Sequence, residues 1–203
     1  METSKLDIKK HDLLRVSKLI YESDPKFLGL LYGFNKKKAF KRIRNSILIG
    51  KNPLAYENIY VATDKGKIIG ILIAYKFDKF YRGLSFNESI HNFSIFTLIN
   101  MYLIQKLIFD RVPKSKIKEK DFFINNICID EKLRGKGKGS KILDYAIYLS
   151  KKEKCDTIKL NISSNNTPGV KFFKKNGFDI YDSTYIRFLF TRVKIYLMLY
   201  EKI

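Results

Sequence analysis

The sequence predicts a mixed α/β domain, and three observations carry that prediction. Two apolar, β-branched stretches, Ile59 to Thr63 ("IYVAT") and Lys67 to Phe77 ("KIIGILIAYKF"), meet across Asp64-Lys65-Gly66, a hairpin signature. In the second half, the strand-like runs "DFFINNICI" and "TIKLNI" alternate with helical patterns. The 203 residues, 45% of them hydrophobic, suit one domain with a proper core, 1–203.

Each element has its own warrant. Lys5 to Ile8 reads as a short strand. His11 to Tyr21 carries apolar residues at 13, 14, 16, 19 and 20, a helical spacing. Asp24 to Ile49 reads as further helix, ending in a basic face with Lys36, Lys37, Lys38, Lys41 and Arg42. The hairpin strand 67–77 is almost continuously apolar, as expected when both faces are covered. The segment 81–120 reads as an inserted connection, helical over about Ser89 to Asp110 and stopped by Pro113. After "DFFINNICI" comes a helix from about Ser140 to Lys154, with Ile142, Leu143, Ala146, Ile147 and Leu149 on its buried face. In "TPGVKFFKKNGF", Thr167 suits a cap, Pro168 the first helical position and Gly177 a left-handed stop. Two strand-like segments fill Phe178 to Ile203.

The totals bound the function. Lys and Arg number 40 against 20 Asp and Glu, a formal charge of +20, mostly from lysine. Such a balance suits polyanionic partners or a phosphorylated cofactor, and equally a compositional bias, since the lysines are spread along the chain. Cys128 and Cys155 show no metal spacing and read as buried thiols of a reducing compartment, so no metal is expected. The charged start METSKLDIKKHDLL lacks the apolar core of a signal peptide. The apolar run Ser94 to Phe109 is broken by Asn100, Gln105 and Lys106 and falls short of the about 20 residues of a membrane span. A cytoplasmic protein without a membrane segment is the expectation.

The stretch "CIDEKLRGKGKGSKIL" carries the most chemistry. Gly135, Gly137 and Gly139 alternate with Lys136 and Lys138 ahead of a helix and after a strand. A helix start offers unpaired backbone N–H groups and a positive dipole end, and glycine lets an anion approach closely. The pattern is neither a Walker loop nor a GxGxxG fingerprint. On the residues alone, a phosphate loop and a solvated basic turn both stay open.

The surroundings add a resemblance. Arg134-x-x-Gly137-x-Gly139 after a strand resembles motif A of the GCN5-related N-acetyltransferases. "NNTPGVKFFKKNGF" resembles that family's second motif, with Asn166 placed 11 residues before Gly177 and Phe178 closing it. The two motifs span about Ile124 to Phe178. The resemblance implies an acyl-CoA N-acyltransferase fold in which strands 124–129 and 157–162 part. It implies acetyl-CoA as the acyl donor, with Arg134, Gly135, Lys136, Gly137, Lys138, Gly139 and Ser140 around its pyrophosphate. Ile127, Cys128 and Ile129 would flank the pantetheine arm, with Asn166 and Phe173 also against the cofactor. A backbone N–H at Ile129 would polarise the thioester carbonyl. Cys128 itself reads as a packed thiol rather than a nucleophile.

The proton-handling positions depart from the family pattern. Amine acetylation needs a base for the ammonium proton and often an acid for the leaving thiolate. The resemblance places these roles at Phe173, Asn161 and Phe123, none of which can perform them. Tyr181, Tyr185, Glu88 and His91 are the available substitutes. The acceptor side would include the segment 81–120 with Phe86, Phe93, Phe96, Tyr102 and Phe109, readable as a pocket wall, a helix packed on the sheet or a homodimer face. Glu57, Asp78 and Glu88 are sparse and unclustered, which gives no support to a polycationic acceptor. The expected partner is therefore a small-molecule or peptide amine. The alternatives are a non-catalytic acyl-CoA-binding or sensor protein and a basic nucleic-acid-binding module. The last lacks a recognition helix or an RNP-like aromatic motif, so nucleic acid is not the expected partner.

Overall fold

The computed structural model describes residues 1–50, 52–77, 117, 118, 120–188 and 191–201. In chain order the elements are β1 (Glu2–Lys5), α1 (Leu13–Ser23), α2 (Pro25–Tyr32), α3 (Lys36–Ile49), β2 (Ile59–Asp64), β3 (Lys67–Lys76), β4 (Asp121–Ile129), α4 (Lys138–Lys152), β5 (Thr157–Ser163), α5 (Thr167–Lys175), β6 (Asp179–Phe188) and β7 (Thr191–Tyr200). The strands form one seven-stranded sheet in the order β1-β2-β3-β4-β5-β7-β6. All neighbours are antiparallel except β4 and β5, which run parallel.

The sheet is covered on both faces. Val16, Leu19, Ile20, Ile43 and Ile47 of the first helices pack on Ile59, Val61, Ile71, Ile73 and Cys128. Ile142, Leu143, Ala146, Phe173 and Phe178 pack on Leu72, Phe122, Ile124, Leu160, Ile162 and Met198 of the other face. This two-sided cover explains the continuous apolar run of β3, buried from Ile69 to Tyr75. The β2–β3 hairpin closes through Lys65 and Gly66, both with positive φ, the geometry of a two-residue turn that matches strand twist.

Several boundaries differ from the sequence reading, each for a local reason. The first strand lies at Glu2–Lys5 rather than 5–8, because Asp7 turns the chain: its side chain accepts from Lys9 N–H (2.9 Å) and its carbonyl from His11 N–H (2.9 Å). The helical stretch 24–49 is two helices. Gly33, at φ 100°, ends α2, and Asn35 caps α3 by accepting from Lys38 N–H (3.2 Å). α4 begins at Lys138, two residues early, because Gly137 is left-handed at φ 73° and serves as its cap. For α5 the cap is Asn166, accepting from Gly169 N–H at 3.1 Å, with Thr167 inside the first turn. The expectations for 81–116, including the inserted helix, its aromatic residues, Glu88 and His91, lie outside the described residues.

Candidate functional site

The parallel pair β4/β5 is joined at one end and open at the other. Pairing runs from Asp121↔Thr157 to Ile124↔Leu160 and stops there. The joined end is pinned by a buried ion pair, Lys159 Nζ to Asp121 Oδ2 at 2.7 Å, and by Thr157 Oγ1 donating to Asp121 Oδ1 at 2.5 Å. The open end starts at a bulge. On the β3 side, Ile73 pairs with Asn126 and Ala74 with Ile124, so Asn125 has no counterpart. A bulge bends its strand and raises its twist, which turns β4 away from β5 at the residue where their pairing ends. β5 continues beside β7 to Ser163↔Ile195. The result is a fork in the sheet.

The ladder alternation says which backbone groups face the fork. Asp130 N–H donates to Ile69 O at 2.8 Å, which makes that pair a hydrogen-bonded one. In an antiparallel ladder such pairs alternate with pairs whose N–H and C=O point outward. Ile129, paired with Gly70, is therefore directed away from β3 and toward the fork, and so is Ile127, paired with Leu72. Arg134 bears this out for the carbonyl: its Nε donates to Ile129 O at 3.0 Å from outside the β3 ladder. The Ile127 and Ile129 side chains belong to the core beneath α4. Cys128 points the other way, and burial pushes its thiol up to about 11, partly offset by Arg134. At neutral pH it is a neutral, packed thiol, as the sequence reading expects.

Beyond Ile129 the chain enters the glycine loop. Asp130 accepts from Lys132 N–H (3.0 Å) and is ion-paired with Arg15 of α1, which fixes a 3-10 turn at Glu131–Leu133. Gly135 (φ 74°) and Gly137 (φ 73°) follow in left-handed conformations, and a Cβ at either would meet nothing within 4 Å. These two glycines are set by backbone angle, and the space above them is open. Gly139 differs: a Cβ there would come within 3.2 Å of Phe172, so it serves the contact between α4 and α5. No side chain caps α4, which leaves the N–H groups of its first turn at the loop. Lys136 is exposed, whereas Lys138 turns to Asp64 of β2 at 2.6 Å, and this lysine holds the Asp64 carboxyl below its ordinary range. That partner lies 74 positions away, beyond the reach of any local pattern. Ser140 is half-buried in the first turn.

The remaining positions divide. Asn166 lies at the α5 start as its cap. Phe173 is 5% exposed and packs edge-to-face on Phe172 (5.1 Å) and Phe178 (5.3 Å), so its ring is core. Tyr181 (53% exposed) and Tyr185 (48% exposed) sit on β6, the outer strand, separated from β5 by β7. Their rings meet cations, Lys159 Nζ at 5.7 Å from Tyr181 and the Arg192 guanidinium at 3.8 Å from Tyr185. The structure does not bring them to the fork. It brings there instead Asn125, Asn126 and Asn161, of which only Asn161 stood out in the sequence.

A parallel strand pair that opens at a bulge and leads into an uncapped, glycine-lined helix start is the arrangement the two motifs imply. Residues 31–178 match the model of the acetyltransferase (GNAT) family. This chain belongs to that family. The family assignment agrees with the whole fold. An N-acetyltransferase from Staphylococcus aureus Mu50 is 20% identical, with 98% of this chain and 100% of that one covered at a TM-score of 0.65. A GNAT family acetyltransferase from Elizabethkingia anophelis, solved with acetyl-CoA bound, is 14% identical over 98% and 97% of the two chains at 0.57. The NatC complex bound to Gag peptide and CoA contains a chain 15% identical over 100% and 98%, at 0.56. At these identities the likeness is one of fold. No curated protein matches the chain. No helix among the described residues is long and apolar enough to cross a membrane.

Proposed function

We propose that this chain is an acetyl-CoA-dependent N-acetyltransferase acting on a primary amine of a small molecule or peptide. The observation that carries the reading is the fork itself, with the Ile127 and Ile129 backbone groups directed into it and the glycine loop at its mouth. The pantetheine arm of acetyl-CoA carries amides that can add to an unpaired strand edge as a further strand does. The loop suits its pyrophosphate: open space over Gly135 and Gly137, the first N–H groups of α4, and the positive charge of Arg134 and Lys136. Gly139, Lys138 and Ser140 shape that helix start, and Asn166 and Phe173 fix α5 beside it.

Acetyl-CoA supplies the acyl group as a thioester. An N–H directed into the fork, that of Ile127 or Ile129, would donate to the thioester oxygen as charge develops there. The structures of relatives with acetyl-CoA or CoA bound support this donor, and the peptide in one of them supports a peptide amine among the acceptors. We read residues 1–203 as one domain, and two buried free cysteines suit a reducing, cytoplasmic setting. Thermal denaturation tests the donor. At 100 times its Kd a ligand of the folded state adds about 2.7 kcal/mol. For a chain of this size that is a rise in Tm of roughly 5 to 11 °C. No rise at millimolar acetyl-CoA refutes the reading. A rise without thiol release from any primary amine assigns binding without transfer.

A further inference from the structure

The α1 face of the fork carries carboxamides where a base would be expected. The first residues past the last β4–β5 pair are Asn125 on one strand and Asn161 on the other. Both side chains lie on the face of α1. Leu160 and Ile162 belong to the core under α4 and α5, so Asn161 points to the opposite side. Asn125 is tied to Asn126, which is tied to Ser23 at the end of α1.

That chain of hydrogen bonds has a forced direction. The Ser23 hydroxyl gives its one proton to the Ile20 carbonyl (2.6 Å), so it must accept from the Asn126 amide (2.6 Å). Asn126 then offers only its oxygen to Asn125, which must donate in turn (2.5 Å). The run therefore ends in the Asn125 carboxamide oxygen. On the facing strand, Asn161 Oδ1 is buried and without a hydrogen-bond partner, alone in this among the buried side-chain atoms of the described residues. Asn161 itself is only half-buried, and its terminal torsion is soft, so the amide can turn that oxygen toward a donor in the fork.

We infer that Asn125 Oδ1 and Asn161 Oδ1 together accept the two N–H groups of a neutral primary amine. This inference rests on the acetyltransferase reading above. Two acceptors satisfy an R–NH2 group and leave its lone pair free for the thioester carbon. The C–N bond then forms as the C–S bond breaks, the surplus N–H proton passes to water, and the departing thiolate takes a proton from water. Neither oxygen can remove a proton from an ammonium, because a carboxamide is not basic at neutral pH. Among the described residues, the charged and titratable groups around the fork are otherwise committed or peripheral. Asp121 and Lys159 pair with each other, Cys128 is a neutral thiol, Asp24 caps α2 by accepting from Phe27 N–H (3.1 Å), and Glu22 is exposed. With no free base among these described groups, the acceptor arrives as its free base. At pH 7 that favours an α-amine, with a pKa of about 8, over an alkylamine near 10.4. The substrate class is the α-amino group of a peptide or amino-acid derivative.

Three probes test this with acetyl-CoA saturating: glycinamide, its N-methyl analogue with one N–H, and propylamine. CoA release at pH 7.5 is expected to be at least tenfold faster with glycinamide than with either of the others. Each primary amine's rate should rise with pH through the amine's own pKa. Asn161→Leu should raise the KM for glycinamide tenfold or more, leave the acetyl-CoA thermal shift intact and not lower the apo Tm, since it removes an unpaired buried oxygen. Asn161→Asp adds a base and should bring the two primary amines onto a common pH profile. In CoA-loaded protein, glycinamide should move the Asn161 side-chain amide signals, whether or not it is a good substrate. The inference is overturned if those signals stay fixed at 100 mM glycinamide or if Asn161→Leu leaves KM unchanged. It is also overturned if both amines share one wild-type pH limb that Glu22→Gln or Asp24→Asn abolishes. Loss of the acetyl-CoA shift in the wild type would instead refute the underlying reading.

Discussion

Replacing Gly137 by alanine separates what the backbone demands from what a ligand demands. Gly137 has φ 73°, and a Cβ there meets no atom within 4 Å. The apo protein therefore pays only the left-handed cost of a non-glycine residue, about 1 to 2 kcal/mol. That corresponds to a fall in Tm of roughly 2 to 8 °C for a chain of this length. The methyl group, however, enters the open space over the loop, where the account puts the pyrophosphate. The rise in Tm with acetyl-CoA should then shrink to a small fraction of the wild-type value. Gly139→Ala is the contrast. Its Cβ meets Phe172 at 3.2 Å, so its effect falls on the packing of α4 against α5. Differential scanning fluorimetry with and without acetyl-CoA reads both variants. A Gly137→Ala protein that keeps its apo Tm and its full acetyl-CoA response would refute the reasoning about this loop.

Two further outcomes follow from the joined end of the fork and from its thiol. Asp121→Asn removes the buried carboxylate charge that pairs with Lys159 and accepts from Thr157 and the Lys118 N–H, a loss of about 3 to 5 kcal/mol, readable as a lower urea midpoint with unchanged slope; a loss under 1 kcal/mol would contradict the role given to this pair. Cys128→Ala should keep most of the acetyl transfer. In the wild type, with the thiol pushed up to about 11, iodoacetamide at pH 8 should label Cys128 far more slowly than a free cysteine, by peptide mass spectrometry; rapid labelling, or loss of transfer in the alanine variant, would make the thiol a participant.

Much of this molecule was legible in sequence because its signals are local. The hairpin, β4, β5 and α5 are fixed by β-branched runs and by turn and cap residues within a few positions of each other. The loop was legible for the same reason, as glycines after a strand and before a helix. The fork was not. It needs the bulge at Asn125, which exists only as a mismatch between β3 and β4, and the pin between Asp121 and Lys159, 38 residues apart. The chain from Ile20 through Ser23 and Asn126 to Asn125 spans more than a hundred positions. Asn166 rather than Thr167 is the α5 cap, accepting from Gly169 N–H, which puts Thr167 inside the first turn. Lys138 read as a charge at the loop mouth, yet Asp64, brought alongside by the β2–β3 hairpin, takes it. Long-range pairing of this kind leaves no periodicity to read.

The central claim is that the open edge of β4 receives the acyl donor through Ile127 and Ile129 and not through Cys128. Residue-resolved amide hydrogen exchange, by NMR with and without acetyl-CoA, tests it directly. The Cys128 amide, directed to β3, should be protected in both states. The Ile127 and Ile129 amides, directed to the fork, should exchange faster in the free protein and slow by at least tenfold when acetyl-CoA is bound. Unchanged exchange at both isoleucines under saturating acetyl-CoA would contradict the account.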